Sequence, residues 1–265
     1  MAEKERYCGY SKVTDQQLAN YFEGKNLDEL LINQYLICSN EKIVKFDGEK
    51  IVELRLPDIK GFKAKNIHQM MALDLLHNKN IPAKSLVGIA GSGKTRMAIQ
   101  YGLYLLDKGD IEKIFITRNP ATVGEEIGHL PGDKMDKISF ITQPILDNLE
   151  GGMQDLERMI TREQIEFDSP GFMQGRDIRN AFVIVDEAQM MNRELVKMLG
   201  SRIGEGSQIV FVGDYEQAFS RKYKGENNGL VHMINSLKGN KLFGMVELQE
   251  SVRGPVAEMF AKMDI

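Results

Sequence analysis

The chain has 265 residues, of which 42% are hydrophobic and 27% are charged, and its formal net charge is −4. This length accommodates one large domain or one domain with an appendage, and the composition is ordinary for a globular protein. No apolar run approaches the roughly 20 residues that a membrane-spanning helix needs, so we expect no membrane span. The acidic balance restricts any nucleic-acid contact to a local basic patch.

The first residues, Met1 to Glu5, are polar and lead into no apolar stretch. We therefore expect no secretory signal. The two cysteines, Cys8 and Cys38, lack the spacing of metal ligands. They are interpreted as reduced thiols of a cytoplasmic protein rather than as a disulfide framework.

Residues 1–60 predict a small N-terminal extension that consists of a helix and a β-hairpin. The helix spans residues 14–22, with Thr14 or Asp15 as its cap. Strand-like runs follow at residues 35–39, 42–46 and 50–56. Asp47-Gly48 between the last two runs is a hairpin signal.

Residues 61–265 predict the core domain, in which apolar strands alternate with helices. The predicted strands are 85–89, 113–117, 181–185, 208–212 and 243–248, and the predicted helices are 68–76, 96–106, 193–199 and 230–237. This alternation predicts a parallel sheet covered by helices on both faces. The stretch 119–180 is too long for a simple connection, and its helical segments 137–149 and 153–162 indicate an inserted helical subdomain.

A phosphate-binding loop is predicted between the first strand and the next helix of this core. The segment Gly88-Ile89-Ala90-Gly91-Ser92-Gly93-Lys94-Thr95 matches the pattern G-x-x-x-x-G-K-[ST]. The glycines allow a tight backbone path that directs several N–H groups at one anion, and the following helix adds the positive end of its dipole. Lys94 supplies positive charge for the β- and γ-phosphates of ATP, and Thr95 supplies a hydroxyl for Mg²⁺.

Two acids follow the apolar strand at 181–185. We expect Asp186 to hold Mg²⁺ through water and Glu187 to polarise the attacking water. A second carboxylate directly after the magnesium ligand favours hydrolysis over transfer to a metabolite.

Two glutamines are candidates for contacts with the nucleotide. Gln217 follows the strand 208–212, and it reaches the γ-phosphate if that strand lies beside the strand of the loop; the alternative is a solvated glutamine. Gln69 has Phe62 nearby, and together an amide and an aromatic ring hold the edge and face of adenine. The alternative for Gln69 is a helix-surface glutamine.

Phosphoryl transfer usually requires one more cation against the γ-phosphate. Arg202 follows the helix that comes after Glu187. In P-loop cores, this end often faces the nucleotide of a neighbouring subunit. Arg253, after the last core strand, is the other main candidate, and Arg118 and Arg176 are weaker ones. Each arginine alone is more often a surface ion-pair partner. The basic run Arg221-Lys222-Tyr223-Lys224 is either a contact for a nucleic-acid strand or a solvated loop.

Taken together, these motifs resemble the PhoH-like ATPases, which are relatives of superfamily 1 helicases. The resemblance covers about residues 30–255 in the family's order. The matching segments are Asn33-Gln34-Tyr35-Leu36, Gly61-Phe62 with Asn66 and Gln69, the loop 88–95, Thr117-Arg118, Gly128-His129-Leu130-Pro131-Gly132-Asp133, Gly175-Arg176, Asp186-Glu187-Ala188-Gln189, Ser201-Arg202-Ile203-Gly204, Gly213-Asp214 with Gln217, and Val252-Arg253.

The resemblance implies a single RecA-like core that hydrolyses ATP in a ring with sites between subunits. We therefore expect a Mg²⁺-dependent ATPase that forms a homo-oligomer such as a hexameric ring, because one core provides only one face of a helicase cleft. Three outputs of hydrolysis stay open. They are a motor that depends on RNA or single-stranded DNA, an ATP-controlled assembly or chaperone-like switch, and a small-molecule kinase, for which the sequence shows neither an acceptor pocket nor an Arg-rich lid.

Overall fold

The structure, a computed structural model, describes residues 6–119, 139–217, 223, 227–252, 254 and 259. These residues form two sheets, a small one of four strands near the N-terminus and a larger one of six strands. No helix among them is long and apolar enough to cross a bilayer.

The small sheet contains the three predicted strands together with one further strand. Its strands are β1 (Tyr10–Lys12), β2 (Tyr35–Ile37), β3 (Ile43–Phe46) and β4 (Ile51–Glu53), and helix α1 (Asp15–Phe22) follows β1. Strands β2, β3 and β4 are antiparallel, as the turn at Asp47-Gly48 predicts. Strand β1 runs parallel to β2 and was not predicted, because three partly exposed residues give no readable alternation.

The large sheet is entirely parallel, with the strand order β10-β5-β9-β8-β6-β7. Its strands are β5 (Ala83–Gly88), β6 (Lys113–Arg118), β7 (Ile165–Asp168), β8 (Ala181–Asp186), β9 (Gln208–Gly213) and β10 (Phe243–Leu248). Its helices are α2 (Ile67–His77), α3 (Lys94–Lys108), α4 (Ser139–Leu146), α5 (Gly152–Thr161), α6 (Arg193–Gly200) and α7 (Gly229–Leu237).

Both faces of the large sheet are covered, as the apolar strands predict. Leu86 and Ile184 point to the side of α2 and α3, whereas Val87 and Val185 point to the side of α6 and α7. Alternate residues of one strand thus enter two separate hydrophobic cores. The predicted α/β, RecA-like P-loop fold is confirmed.

The stretch 119–180 contains more than the predicted helices. Helices α4 and α5 lie within it, but β7 also lies there and joins the large sheet beside β6. This edge strand was not predicted, because Glu166 and Asp168 interrupt a continuous apolar run. The motif at residues 128–133 lies outside the described residues.

The N-terminal sheet is docked on the core through buried polar contacts. The Tyr35 hydroxyl and the Lys45 ammonium both donate to the Asp74 carboxylate of α2, at 2.7 and 2.6 Å. The Asn33 side chain donates to the Phe243 carbonyl of β10 at 2.8 Å. Removing one member of such a buried ion pair usually costs several kcal/mol, so these contacts hold the two parts together. The division at residue 60 stays a prediction.

Candidate functional site

The candidate site lies where the carboxyl ends of β5, β9 and β8 meet. These three strands are neighbours in the sheet, so the residues that follow them share one edge. In open parallel sheets, ligands bind in the crevice at this edge. The loop after β5 and the two acids after β8 are therefore brought together by the strand order.

The loop between β5 and α3 follows a path that requires glycine. Gly88, Gly91 and Gly93 have φ angles of 150°, 78° and 90°. A Cβ atom at Gly88 would lie 2.1 Å from the Leu248 carbonyl oxygen of β10. The first turn of α3 begins at Lys94 and directs its unpaired N–H groups into the loop. This arrangement can bind a phosphate group.

The Lys94 side chain is folded back over this loop. Its ammonium donates to the carbonyls of Gly88 and Ile89 at 2.7 and 2.8 Å and to the Ser92 hydroxyl at 3.2 Å. Only 9% of the residue is exposed. A positive charge is therefore fixed at the loop centre, within reach of an anion bound by the backbone.

Thr95 and Asp186 connect the loop to the end of β8. The Thr95 hydroxyl donates to an Asp186 carboxylate oxygen at 3.1 Å. A hydroxyl that donates keeps its lone pairs for a cation, and a carboxylate binds a cation directly or through water. Burial, and then the charge of Glu187, raise the pKa of Asp186, whereas Arg118 and Thr95 act in the opposite direction.

This pair of oxygens fits Mg²⁺ better than a metal that needs a full protein cage. Mg²⁺ takes oxygen ligands, keeps several waters and is usually held by one or two carboxylates plus substrate phosphates. Among the described residues, no group of three or more His, Cys, Asp or Glu side chains forms a metal site. Thr95 and Asp186 would hold the ion.

Glu187 is held in an unusual backbone conformation by its neighbours. Its φ and ψ are 51° and 43°, the left-handed region, which costs a non-glycine residue free energy and is common at functional sites. Arg118, at the end of β6, donates to one of its carboxylate oxygens at 3.3 Å, and Gln189 donates to the other at 2.6 Å.

Gln189 also joins β8 to β9, a role that the sequence analysis did not assign. Its side-chain oxygen accepts the Asp214 backbone N–H at 3.0 Å, and the residue is 1% exposed. The sequence signal for Gln189 was its place in the matching segment Asp186-Glu187-Ala188-Gln189. Gln217 lies on the short 3-10 helix Tyr215–Gln217 that follows Asp214, and β9 does lie beside β5 as that prediction requires.

Gln69 is neither a helix-surface residue nor directed into open space. It is 2% exposed, its amide nitrogen donates to the Ser92 carbonyl at 3.0 Å, and its amide oxygen accepts the Lys65 N–H at 2.9 Å. Beside it, a pocket of about 440 Å³ is lined by residues 61–65 and Arg96. The Arg96 guanidinium carbon lies 5.7 Å from the centre of the Phe62 ring in this pocket.

The sequence model of the PhoH-like protein family matches residues 61–263, which include all of these site residues. The chain belongs to the PhoH-like family. Its core carries a P-loop, the loop between β5 and α3.

Curated relatives agree with this assignment. The chain is 35% identical to "Protein PhoH2" of Bacillus subtilis (strain 168) over 287 residues, covering 98% of this chain and 64% of that protein. It is 33% identical to "Protein PhoH2" of Mycolicibacterium smegmatis over 210 residues, covering 78% of this chain and 48% of that protein. The chain thus spans about half to two thirds of the length of these relatives.

Among solved structures, the chain is similar to Pif1 helicase from Candida albicans. The identity is 16%, the match covers 75% of this chain and 42% of that one, and the TM-score is 0.39. A likeness this weak supports no conclusion about activity.

The candidate arginines of this PhoH-like chain lie at different places. Arg118 contacts both acids, at 3.8 Å from Asp186 as well as 3.3 Å from Glu187. Arg176 pairs with Glu166 and Asp168 at the β7 edge. Arg253 is outside the described residues. The Val252 N–H donates to the Gly91 carbonyl at 2.9 Å, so Val252, the residue before Arg253, lies against the phosphate-binding loop.

Arg202 lies near the amino end of β8, whereas the candidate site lies at the carboxyl ends of the strands. Its carbonyl accepts the Ile178 N–H at 2.9 Å, and Ile178 pairs with Ile203 just before β8 begins. Strand β8, from Ala181 to Asp186, lies between Ile178 and the carboxyl end of the sheet, and its five steps of extended chain correspond to roughly 17 Å. Within one subunit, the structure therefore does not bring Arg202 to the loop.

The basic run at 221–224 is described only at Tyr223. This residue is 5% exposed, and its hydroxyl lies 3.4 Å from the Asn119 side-chain nitrogen. Its ring is thus packed inside the protein and does not offer a face on which a nucleic-acid base stacks. Arg221, Lys222 and Lys224 lie outside the described residues.

Proposed function

We propose that this chain is a Mg²⁺-dependent ATP hydrolase that acts as an oligomer and couples turnover to RNA or single-stranded DNA. The observation that supports hydrolysis best is the 3.1 Å contact between Thr95 and Asp186. It brings a phosphate-binding loop and a pair of acids to one edge of the sheet. Both parts are needed for triphosphate cleavage, and neither is sufficient alone.

Lys94 and the loop N–H groups of residues 88–95 bind the phosphates in this proposal. The Lys94 ammonium exchanges its contacts with the Gly88 and Ile89 carbonyls for the β- and γ-phosphate oxygens. Thr95 and Asp186 hold Mg²⁺, which neutralises charge on those oxygens when it is bound.

Glu187 accepts a hydrogen bond from the attacking water. Its two oxygens are engaged by Arg118 and Gln189, but a carboxylate offers about four acceptor sites, so a water still finds one. These two contacts fix the direction of the carboxylate. Gln217 contacts the γ-phosphate and distinguishes ATP from ADP.

The adenine base is assigned to the pocket beside Phe62 and Arg96. An aromatic ring and a guanidinium both stack on a purine. Gln69 supports this pocket from behind, because it joins the Lys65 backbone to the Ser92 carbonyl of the loop.

The basic test is steady-state ATP turnover by the wild type with Mg²⁺ and with a chelator, using Lys94→Ala as the blank. Glu187→Gln is the matched variant, because it keeps the shape of the side chain and removes its charge. We expect this variant to bind ATP normally and to lose roughly a hundredfold or more in kcat. Wild-type protein that splits no ATP with Mg²⁺ present would refute the hydrolase assignment.

The polymer is tested by repeating the turnover assay at low salt with single-stranded RNA or single-stranded DNA. Stimulation by either one supports the motor. If neither polymer changes the rate of an active hydrolase, the nucleic-acid part is wrong and the ATP-controlled assembly or chaperone-like switch takes its place.

A further inference from the structure

The N-terminal segment, residues 6–10, lies along the outer edge of β10 and links the two sheets. The Cys8 carbonyl accepts the Glu247 N–H at 2.9 Å, and the Gly9 carbonyl accepts the Tyr35 N–H at 3.0 Å. Gly9 has a φ of 90°, and a Cβ atom there would lie 1.9 Å from the Met245 carbonyl oxygen. The position of this segment is therefore fixed closely against the strand beside the phosphate-binding loop.

The first described residue of this segment contacts the turn that carries Gln217. The Arg6 guanidinium carbon lies 4.4 Å from the centre of the Tyr215 ring, within the range of a cation–π interaction. Tyr215 begins the short helix that ends at Gln217. Burial raises the pKa of Tyr215, so its ring is neutral at physiological pH.

The last residue of the segment, Tyr10, contacts the start of helix α2. The Tyr10 ring lies 5.2 Å from the His68 ring, and His68 lies 3.5 Å from the Glu250 carboxylate. Glu250 precedes Val252, whose N–H donates to Gly91 of the loop. Arg6 thus contacts the turn that carries Gln217. Tyr10, at the other end of the segment, is connected through His68 and Glu250 to the chain that contacts the phosphate-binding loop.

We propose that Arg6 is a positioning residue for nucleotide discrimination. By holding Tyr215, it fixes the turn on which Gln217 meets the γ-phosphate. The inference rests on the proposed function of the loop and of Gln217. The turn has a second anchor on its opposite side, the Gln189 side chain that accepts the Asp214 N–H. Tyr215 also packs against the hydrophobic core that contains Val87, and loss of Arg6 removes the cation that lies over its ring.

The experiment measures the Kd of a non-hydrolysable ATP analogue and the Kd of ADP, both with Mg²⁺. Arg6→Ala removes the cation, and Tyr215→Leu removes the ring. We expect each to lower the ratio of the ADP Kd to the analogue Kd about fivefold, within the roughly two- to thirtyfold range of a cation–π contact. The Kd of ADP itself stays unchanged.

Two conservative variants serve as matched controls. Tyr215→Phe keeps the ring and Arg6→Lys keeps the cation, so both retain most of the discrimination. In the double variant Arg6→Ala/Tyr215→Leu, the loss of discrimination equals that of Tyr215→Leu alone, because both changes remove one interaction. If Tyr215→Leu does not fold, Arg6→Ala against Arg6→Lys still decides, since Arg6 is exposed.

Gln217→Ala separates a failure of this inference from a failure of the proposed function. If Gln217→Ala lowers the ratio and Arg6→Ala does not, or if the effects of Arg6→Ala and Tyr215→Leu add, the positioning role is wrong. If the wild type binds neither nucleotide, or Gln217→Ala leaves the ratio unchanged, the function proposed for the turn has failed instead.

Discussion

The side chain of Gln69 joins two parts of the nucleotide site, the Lys65 backbone and the phosphate-binding loop, through one amide group. It contacts the backbone of Lys65 and of Ser92, and a Cβ atom on Gly93 would lie 3.0 Å from its nitrogen. Helix α2 directs it there, because the Asn66 side chain caps the helix by accepting the Gln69 N–H at 2.9 Å. This geometry assigns Gln69 to the support of the phosphate-binding loop rather than to the reading of adenine alone.

Supporting the loop and reading the base predict different results for Gln69→Ala. If Gln69 supports the loop, the variant loses affinity for ATP and GTP alike, by about tenfold, the effect of one buried hydrogen bond of about 1.4 kcal/mol. The preference for ATP over GTP then stays as in the wild type. Equilibrium titrations of both triphosphates check this. A normal GTP affinity with a weakened ATP affinity would show that Gln69 reads adenine.

At the scale of single residues, the sequence predicts what a motif's spacing determines. Lys94 and Thr95 follow from a contiguous pattern, and Asp186 follows because an apolar strand ends there. The hydrogen bonds that Gln189 and Arg118 make to Glu187 were not predictable in the same way. They depend on β6, β8 and β9 being neighbours, and strand order is not written in local spacing.

Strand β5 carries a lysine in the interior of the protein as well as the loop at its end. Lys84 is 0% exposed and donates to the Gln208 side-chain oxygen of β9. Burial, and then the charge of Lys45, lower its pKa from 10.5 to about 7. Between pH 7 and pH 10.5 the unfolded chain therefore binds more protons at this group than the folded chain does, and stability rises with pH.

Lys84→Met tests this pH dependence. The free energy of unfolding of the variant, minus that of the wild type, is expected to fall as pH rises from 7 to 9, by up to about 1.4 kcal/mol per pH unit. Denaturant unfolding at each pH provides the measurement. Lys79→Met, at a side chain that is 56% exposed, is the control. A difference between Lys84→Met and wild type that does not change with pH would contradict the lowered pKa.

At the scale of elements, the sequence predicts the long apolar strands and the capped helices. Strand β10 begins and ends as predicted, and α1 begins after Thr14, whose hydroxyl accepts the Gln17 N–H. The two missed strands, β1 and β7, have three and four residues. Their positions are set by the strands beside them, Tyr35–Ile37 and Lys113–Arg118, so tertiary contacts rather than local pattern determine them.

At the scale of the whole molecule, the candidate nucleotide site lies at the carboxyl ends of the strands of the large sheet, and Arg202 lies at their amino ends. A contact between the carboxyl end of the sheet in one subunit and the amino end in the next joins unlike surfaces. Such contacts close into a ring when the rotation between subunits closes, and give an open filament when it does not. If the subunits form such a ring, we expect Arg202 of one subunit to meet the nucleotide of its neighbour. The Arg202 Nε atom is buried and has no hydrogen-bond partner among the described residues.

Mixing two inactive variants tests this arrangement. Arg202→Ala subunits keep an intact loop, and Lys94→Ala subunits keep the arginine, so random rings made from equal amounts contain intact pairs at about a quarter of their interfaces. We expect each variant alone to be nearly inactive and the mixture to recover about a quarter of wild-type ATP turnover. Arg179→Ala removes an exposed arginine near the same end of the sheet and leaves turnover unchanged.

Sedimentation with a non-hydrolysable ATP analogue verifies assembly, because a monomer at every concentration excludes the ring. Mixed rings that stay inactive would place the role of Arg202 elsewhere, since an arginine acting across the interface requires only one intact loop and one intact neighbour.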